Sequence, residues 1–386
     1  MIAGTRTVDS MRDAVIVGAV RTPIGKRNGG LSGTHPVDLS AHVLRALAER
    51  TGFAPAQVDD VVWGTVSQTG EQSWNVGRNA VLAAGWPETV PGTTLDRQCG
   101  SSQQALHFAA ATVLSGQADL VVAGGVESMS RVPMGSSAQG ADPYGPAILA
   151  RYGTNTFNQG VGAEMMAARW GFSRTQLDEY ALASHAKAAA AQDAGDFELE
   201  IADLPDCAED EGIRRDTSLV RLAALKTPFK PDGVVTAGGA SQISDGAAAL
   251  AVTTSRWASA HGLTPLARVH SAVVAADDPV IMLTAPIPAT AKALAKAGLK
   301  LGDIDVYEVN EAFAPVPLAW LAETGADPDR LNPRGGAIAL GHPLGASGAR
   351  LMTTMLHHMR AHDLRFGLQT MCEGGGMANA TIVEKL

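Results

Sequence analysis

Charged residues are scarce in this chain of 386 amino acids. Asp, Glu, Lys and Arg together make up 18% of it, and the formal net charge is −9. This composition excludes a disordered acidic protein and provides no basic face for nucleic acid. We therefore expect a large buried core, with enough further apolar surface for contacts between subunits.

Cysteine is rarer still. Cys99, Cys207 and Cys372 are too few and too scattered for a disulfide framework, and no C-x-x-C pair indicates zinc. Residues 1–10 contain no apolar core of signal-peptide length, and the chain has no run of about 18 apolar residues that would span a membrane. We expect a cytoplasmic protein with reduced thiols, no metal and no membrane span.

Glycine, by contrast, is abundant. It occupies 42 positions, whereas an average protein has about 7% glycine. Glycine permits sharp turns and close approach of the backbone to a ligand. We expect many such places in this chain.

The order of predicted elements occurs twice along the chain. Each half has a strand, a helix and a strand, followed by a glycine-rich junction that leads into a helix and a last strand. The predicted ranges are 13–20, 36–52, 58–66, 99–114 and 118–125 in the first half, and 266–276, 287–299, 304–309, 341–356 and 365–376 in the second. Apolar strands that alternate with helices predict mostly parallel sheets covered on both faces, in two halves around an approximate twofold axis.

The segment between the two halves has a different character, because it is rich in turns and polar residues. Within it, the range 171–195 is predicted to be a helix with Ser173 as its N-terminal cap. We predict three parts: a first half at 1–125, an insertion at 126–245 over the mouth of the halves, and a second half at 246–386. Ligands of α/β sheets usually bind at such a mouth.

Cys99 lies at the start of the last predicted helix of the first half, at 99–114. Unpaired N–H groups and the positive end of the helix dipole favour a thiolate at this place, and the same N–H groups can stabilise an oxyanion. A small buried apolar residue is the alternative for a free cysteine, and its position alone does not decide between the two.

Three residues of the second half lie at comparable strand ends. His342 occupies the junction that matches Cys99, Cys372 precedes a run of three glycines, and Asn310 ends the strand at 304–309. Each of them alone would more often be structural, and turn capping is the ordinary use of such an asparagine. Together with Cys99 they predict one crevice, where two thiols and an imidazole suit a two-step acyl transfer.

These segments resemble the thiolase family from about residue 12 to the end of the chain. The motifs are RQCGSSQQAL around Cys99, TAGGASQISDGAAA (236–249), NEAFA (310–314), GGAIALGHPLGASGAR (335–350) and CEGGG (372–376). The resemblance implies an α/β fold of two thiolase-type halves in α-β-α-β-α layers, with an inserted loop domain that binds coenzyme A. It also implies a homodimer or homotetramer.

The resemblance further implies thiolytic cleavage of a 3-ketoacyl-CoA or the reverse condensation, including acetoacetyl-CoA formation. Cys99 would carry the acyl group, His342 would activate it, and Cys372 would be the acid and base for the acetyl-CoA carbanion. Asn310 would hold a water in one oxyanion hole, and the N–H groups of Gly374 and Cys99 would form the other. Coenzyme A is then a substrate rather than a permanently bound cofactor. The implied positions for coenzyme A and the acyl chain are Arg214, Ser241, Met282, Ala312 and Phe313.

Two departures from the family pattern affect these expectations. Asn158 stands where biosynthetic acetoacetyl-CoA thiolases have a histidine, and Arg334 replaces an asparagine before the histidine loop. The first departure and the residues after Cys99 favour a degradative enzyme of fatty-acid or sterol-side-chain β-oxidation. Two alternatives stay open: a condensing enzyme of the ketoacyl-synthase type, against which the C-x-G-x-G at Cys372 argues, and a non-catalytic homologue that binds lipid or coenzyme A.

Overall fold

The fold was obtained as a computed structural model that describes residues 12–154 and 157–386. Residues 1–10, where no signal peptide is expected, lie outside the described part. Within it, none of the helices combines the length and the apolar character needed to cross a bilayer.

Ten strands and twelve α-helices occur in the described ranges. The strands are β1 (Val15–Arg21), β2 (Gly25–Lys26), β3 (Asp60–Gly64), β4 (Thr93–Leu95), β5 (Leu120–Ser128), β6 (Ser244–Thr253), β7 (Ala267–Ala276), β8 (Val306–Val309), β9 (Phe366–Glu373) and β10 (Met377–Lys385). The helices are α1 (Pro36–Thr51), α2 (Val76–Ala83), α3 (Ser101–Ser115), α4 (Pro146–Tyr152), α5 (Gln159–Trp170), α6 (Arg174–Asp193), α7 (Leu219–Ala223), α8 (Ser255–Ala260), α9 (Pro286–Ala297), α10 (Pro315–Thr324), α11 (Ala337–Leu340) and α12 (Ser347–Ala361).

Each predicted strand and helix corresponds to an observed element of the same type. Helix α1 ends at Gly52, which adopts the left-handed conformation with φ of 89°. Ser173 caps α6 as predicted, since its side chain accepts a hydrogen bond from the Gln176 N–H. Helix α12 starts later than predicted, because a single 3₁₀ turn at Leu344–Ala346 precedes it.

The strands form one mixed sheet in the order β4-β3-β5-β6-β1-β7-β10-β9-β8, with β2 beside β6. Only the pairs β3–β4, β3–β5 and β8–β9 are parallel. The prediction of mostly parallel sheets is therefore wrong. A strand buried on both faces, such as β5, reads as an apolar run whether its neighbours are parallel or antiparallel, so the sequence does not show the direction. A tight turn at 374–376 also makes β10 antiparallel to β9. Gly375 and Gly376 permit that turn with positive φ angles of 83° and 77°.

The elements stack in five layers. Helices α3 and α12 lie centrally and contact strands from both halves of the sheet. Helices α1 and α2 cover the outer face of the first half, and α9 and α10 belong to the core on the outer face of the second. The two halves join only at β1 and β7, where Val15 and Ile16 pair with Arg268 and Ala267. This arrangement is the α-β-α-β-α order expected from the sequence.

The loop domain packs mainly on the second half. Met166 and Leu177, from α5 and α6, share one apolar cluster with Met282 and Phe313. Strand β6, which follows the loop domain, lies between β5 and β1 among the strands of the first half. The division of the chain at 125 and 245 remains a prediction.

Candidate active site

Cys99 occupies the turn that leads into α3. Gly100 is the N-terminal cap of the helix, and only 4% of Cys99 is exposed. The thiol packs among Met129, Leu344 and Met371, which come from the two halves of the fold. The crevice predicted from the sequence is therefore a largely apolar place between the halves.

The Cys99 thiol is held in its neutral form. Burial raises its pKa to about 12, and the charges of Glu373 and Glu127 add to the rise. A hydrogen bond from the backbone N–H of Cys99 and another from the Gln159 side chain oppose the rise without reversing it. The helix N-terminus favours a thiolate at Cys99, but desolvation outweighs it. Cys99 needs a base.

His342 lies in the same buried region and has a defined tautomer. Its Nδ1 is 2.6 Å from the Ser347 hydroxyl oxygen, and the Ser347 hydroxyl donates its single hydrogen to the Pro343 carbonyl at 2.8 Å. Nδ1 must therefore carry the ring hydrogen, and Nε2 carries the lone pair. Burial lowers the pKa of His342 to about 3, and the nearby charge of Arg350 adds to the decrease. The ring is neutral at physiological pH and able to accept a proton at Nε2.

Asn310 lies next to this lone pair. Its Nδ2 is 3.5 Å from His342 Nε2, and the backbone N–H of Asn310 donates to the Thr370 carbonyl in the neighbouring strand. Among the described residues no donor reaches the buried Asn310 Oδ1. The amide and the imidazole therefore present adjacent polar atoms to the same small space.

Cys372 lies near the end of β9 with 1% exposure. Burial raises its pKa well above the ordinary value, and interactions with Cys99 and Glu373 raise it further. Met371, the residue before Cys372, packs against Cys99, so the two cysteines lie in adjoining segments. Gly374, two residues on, lies beside the turn of Cys99, since a Cβ atom there would be 3.0 Å from Gln98 Oε1.

An apolar wall continues from these residues toward the loop domain. The Ser241 N–H donates to the Ala312 carbonyl at 2.9 Å, which fixes the 236–249 loop to the segment after Asn310. Phe313 meets Phe229 of the loop domain edge to face, with ring centroids 5.7 Å apart. Met282 belongs to the same cluster and has the left-handed φ of 65°, which is unusual for a residue other than glycine.

The remaining sequence candidate, Arg214, is exposed on the loop domain. Its backbone N–H donates to His185 Nδ1 at 3.1 Å. The structure therefore places Arg214 on the surface of the segment between α6 and α7, and its role as a coenzyme A contact stays a prediction.

Both departures from the family pattern have structural roles. Asn158 caps α5, since its side-chain oxygen accepts from the Val161 N–H. Arg334 is buried beside Asp196 and Glu200, and its Nη1 donates to the Asp196 carbonyl at 3.0 Å. Arg334 is therefore anchored to the segment after α6, through contacts that do not involve His342.

Sequence reasoning missed two residues of the site. Gln159 bonds the Cys99 thiol across more than fifty residues of chain, and Ser347 fixes the tautomer of His342. No local pattern indicates the Gln159 contact. The five-residue separation of His342 and Ser347 around Pro343 was a usable signal, because it forms a single tight turn.

Metal ligands are not grouped in this site. Within residues 12–154 and 157–386, no cluster of three or more His, Cys, Asp or Glu side chains has the arrangement of a metal centre. The chemistry of the described site is that of two thiols, an imidazole and amide groups.

Comparison with known proteins identifies relatives over almost the whole chain. The family model "Thiolase, N-terminal domain" matches residues 14–256, and "Thiolase, C-terminal domain" matches residues 263–385. A steroid 3-ketoacyl-CoA thiolase of Mycobacterium tuberculosis (strain ATCC 25618 / H37Rv) is 50% identical over 388 positions, which cover 97% of this chain and 95% of the relative. A 3-ketoacyl-CoA thiolase of Yersinia pestis (strain Pestoides F) is 45% identical over 391 positions, which cover 97% of this chain and 100% of the relative.

Proposed function

The chain belongs to the thiolase family, and from this premise we propose that it cleaves 3-ketoacyl-CoA with coenzyme A by way of an acyl group on Cys99. It is an enzyme of the thiolase type, with the thiolase fold. The observation that carries the proposal is the lone pair on His342 Nε2, next to the Asn310 amide, in a buried site that also holds two neutral thiols.

The first half-reaction uses His342 and both thiols. Nε2 takes the proton of Cys99, and the sulfur attacks the 3-keto carbon of the substrate. The bond between carbons 2 and 3 then breaks, its electron pair stays on carbon 2, and the Cys372 thiol protonates that carbon to release acetyl-CoA. Cys99 is left as a thioester, Cys372 as a thiolate and His342 as an imidazolium.

The second half-reaction restores all three groups. The Cys372 thiolate takes the thiol proton of incoming coenzyme A, whose sulfur attacks the thioester carbon. Cys99 departs and recovers its proton from His342. Because every proton returns to its donor, the cycle needs no metal or redox partner, and the same steps run backwards as a condensation.

Two sets of donors support the oxyanions of this cycle. Asn310 and the His342 imidazolium face one small space, and we assign them, with a water, to one oxyanion. The backbone N–H groups of Cys99 and Gly374 are assigned to the other. Support comes from the 3.5 Å approach of Asn310 to His342 and from the contact of Gly374 with the Cys99 turn. A buried apolar surround strengthens such hydrogen bonds.

We propose the substrate class from the apolar wall of the site and from the two thiolases that the chain resembles. Met282, Ala312 and Phe313 form an apolar surface that suits an acyl chain, while Ser241 and Arg214 are assigned to coenzyme A. Relatives named for steroid and general 3-ketoacyl-CoA thiolysis favour a degradative enzyme of fatty-acid or steroid breakdown. The relative kcat/KM across short, long and steroid-derived 3-ketoacyl-CoAs measures this preference directly.

A homodimer or homotetramer in the cytoplasm is also part of the proposal. Support for association comes from the exposed apolar side chains of the first half, above all Trp74 with 92% exposure, together with Phe108 and Leu114. Light scattering measures the mass of the particle. A monomer at micromolar concentration would contradict this part.

Steady-state thiolysis with cysteine variants tests the reaction. Cys99→Ala is expected to abolish turnover, and Cys372→Ala to form acyl-enzyme without exchanging the α-proton of acetyl-CoA. Cys207→Ala is the matched control, because Cys207 is also buried but its thiol bonds the Glu209 carbonyl in the loop domain. Retained turnover in both Cys99→Ala and Cys372→Ala would contradict the assignment.

A further inference from the structure

Glu373 is a buried carboxyl group that the proposed reaction does not use. It directly follows Cys372 in β9, and its exposure is 0%. Among the described residues, no donor within hydrogen-bonding geometry reaches either of its oxygens. Ionisation of a carboxyl group in such a place is strongly unfavourable, so the neutral acid is favoured.

The Glu373 carboxyl group lies against the turn that carries Cys99. A Cβ atom at Gly100 would be 1.9 Å from Glu373 Oε1 and 2.5 Å from Asn379 Oδ1, so these two oxygens are close neighbours. Asn379 Oδ1 is also buried without a donor. Two acceptor oxygens side by side repel each other unless a hydrogen lies between them, and a protonated Glu373 supplies that hydrogen.

The orientation of the Asn379 amide supports this arrangement. Its Nδ2 is 3.2 Å from Gln104 Oε1 and 3.1 Å from His107 Nδ1, so the amino group has two acceptors there. The opposite orientation would set Asn379 Oδ1 against Gln104 Oε1 and would offer a donor to an ionised Glu373. The experiment below separates the two orientations by the charge they imply on Glu373.

The groups around Glu373 differ in charge. Burial raises the pKa of Glu373 to about 8 and the charge of Asp96 adds to the rise, whereas the charge of Arg97 opposes it. Burial also lowers the pKa of His107, behind Asn379, to about 3, so that ring is neutral. Arg97 is therefore the cation that limits the rise.

The charge state of Glu373 acts on both thiols. A negative charge there raises the pKa of Cys99 and that of Cys372. We propose that Glu373 is a positioning residue that stays a neutral acid, donates its hydrogen to Asn379 Oδ1, and thereby keeps negative charge away from Cys99 and Cys372. Ionisation of Glu373 at alkaline pH then lowers the reactivity of the site. The proposal rests on the roles assigned to the two thiols above.

Alkylation of Cys99 by iodoacetamide at pH 7 and pH 9 tests the proposal, with the modified peptide measured by mass spectrometry. The variant is Glu373→Gln, whose amide donates to Asn379 but never ionises. At pH 7 its rate is expected within about twofold of wild type. At pH 9 it is expected to be several-fold faster than wild type, up to about tenfold if the charge shifts the thiol pKa by one unit.

Glu308→Gln is the matched control. Glu308 on β8 is also buried without a donor, and burial raises its pKa to about 8. Its alkylation rates are expected to follow wild type at both pH values. Equal acceleration of Glu373→Gln at pH 7 and pH 9 would mean that Glu373 is ionised at neutral pH and would overturn the proposal. The proposal would also be overturned if the alkylation rates of Glu373→Gln and wild type changed equally between pH 7 and pH 9. Faster alkylation at pH 9 in Glu308→Gln as well would overturn it too.

A second measurement does not depend on the folding of the Glu373 variant. In the Glu308→Gln protein, the infrared band of a protonated carboxyl group is expected at pH 7 and is expected to decrease at pH 9. Its absence at pH 7, or its persistence unchanged at pH 9, would contradict the proposal. Thiolysis by the same preparations reports on the proposed function separately, because Cys99 is alkylated whether or not the enzyme turns over.

Discussion

The Ser347 hydroxyl determines which nitrogen of His342 carries the ring hydrogen. The hydroxyl has one hydrogen, which it gives to the Pro343 carbonyl, so toward His342 Nδ1 it only accepts. The lone pair is thereby fixed on Nε2, the nitrogen that also lies near Asn310. A base of defined tautomer is what a protonated, buried Cys99 requires.

Removal of this hydroxyl should reduce turnover more than binding. In Ser347→Ala, both tautomers of His342 become accessible, and we expect kcat to fall by about 10²-fold, the lower range of a general base, with little change in KM. Ser102→Ala is the control, since Ser102 is equally buried in the central layer and its Oγ accepts from the Ala349 N–H rather than from His342. An equal loss of kcat in both variants would show a merely structural effect.

The pH profile of kcat/KM should lack the decrease near pH 6.5 that protonation of an ordinary histidine base would cause. Since burial lowers the pKa of His342 to about 3, the base form persists as the pH falls through 6.5, the ordinary value for histidine. We expect kcat/KM to stay level on the acid side, from pH 7 to pH 5. A decrease with an apparent pKa near 6.5 would show that His342 is protonated far more easily than its burial indicates.

Gln159 should tune the reactivity of Cys99. Its side chain hydrogen-bonds the thiol and opposes the rise in the pKa of Cys99. In Gln159→Leu that opposition is lost, so alkylation of Cys99 at fixed pH should slow several-fold, about tenfold for each unit of pKa. Gln192→Leu is a suitable control, because Gln192 bonds Glu209 and Arg215 on the loop domain. Unchanged alkylation in Gln159→Leu would contradict the contact.

Gly100 should not tolerate a side chain. A Cβ atom there would lie 1.9 Å from Glu373 Oε1, so Gly100→Ala must displace the buried Glu373 carboxyl group or the Cys99 turn. Overpacking of this kind costs about 1–3 kcal/mol, and we expect a lower Tm together with loss of thiolysis. Gly33→Ala is the control, since no heavy atom lies within 4 Å of its Cβ position. A Tm of Gly100→Ala equal to that of Gly33→Ala would contradict the close packing.

The sequence allowed the order of elements and the junctions of Cys99 and His342 to be predicted, because both depend on local periodicity and on glycine spacing. It did not allow strand direction to be predicted, and it did not indicate β6 and β10, which are buried along almost their whole length and pair antiparallel with their neighbours. The high pKa of Cys99 was not predictable either. The helix N-terminus is visible in a sequence, whereas the desolvation that outweighs it arises from residues distant in the chain.

The contacts of Gln159 and Glu373 depend on the same distinction. Each acts on a reactive residue through a side chain whose position follows only from the packing of the two halves and the loop domain. Glu373 is the clearest case, because a charged residue beside Cys372 is indistinguishable in the sequence from an exposed strand end. Its burial results from the Cys99 turn and from Asn379 in β10.

The central claim is that Cys99 carries the acyl group, and peptide mapping of the trapped intermediate tests it most directly. The enzyme is mixed with a 3-ketoacyl-CoA in the absence of free coenzyme A, quenched in acid and digested. We predict that the shortened acyl group is found on the Cys99 peptide, with one acetyl-CoA released for each acylated chain. An acyl group on Cys372 or Cys207 instead, or acetyl-CoA released without any acylated peptide, would contradict the account.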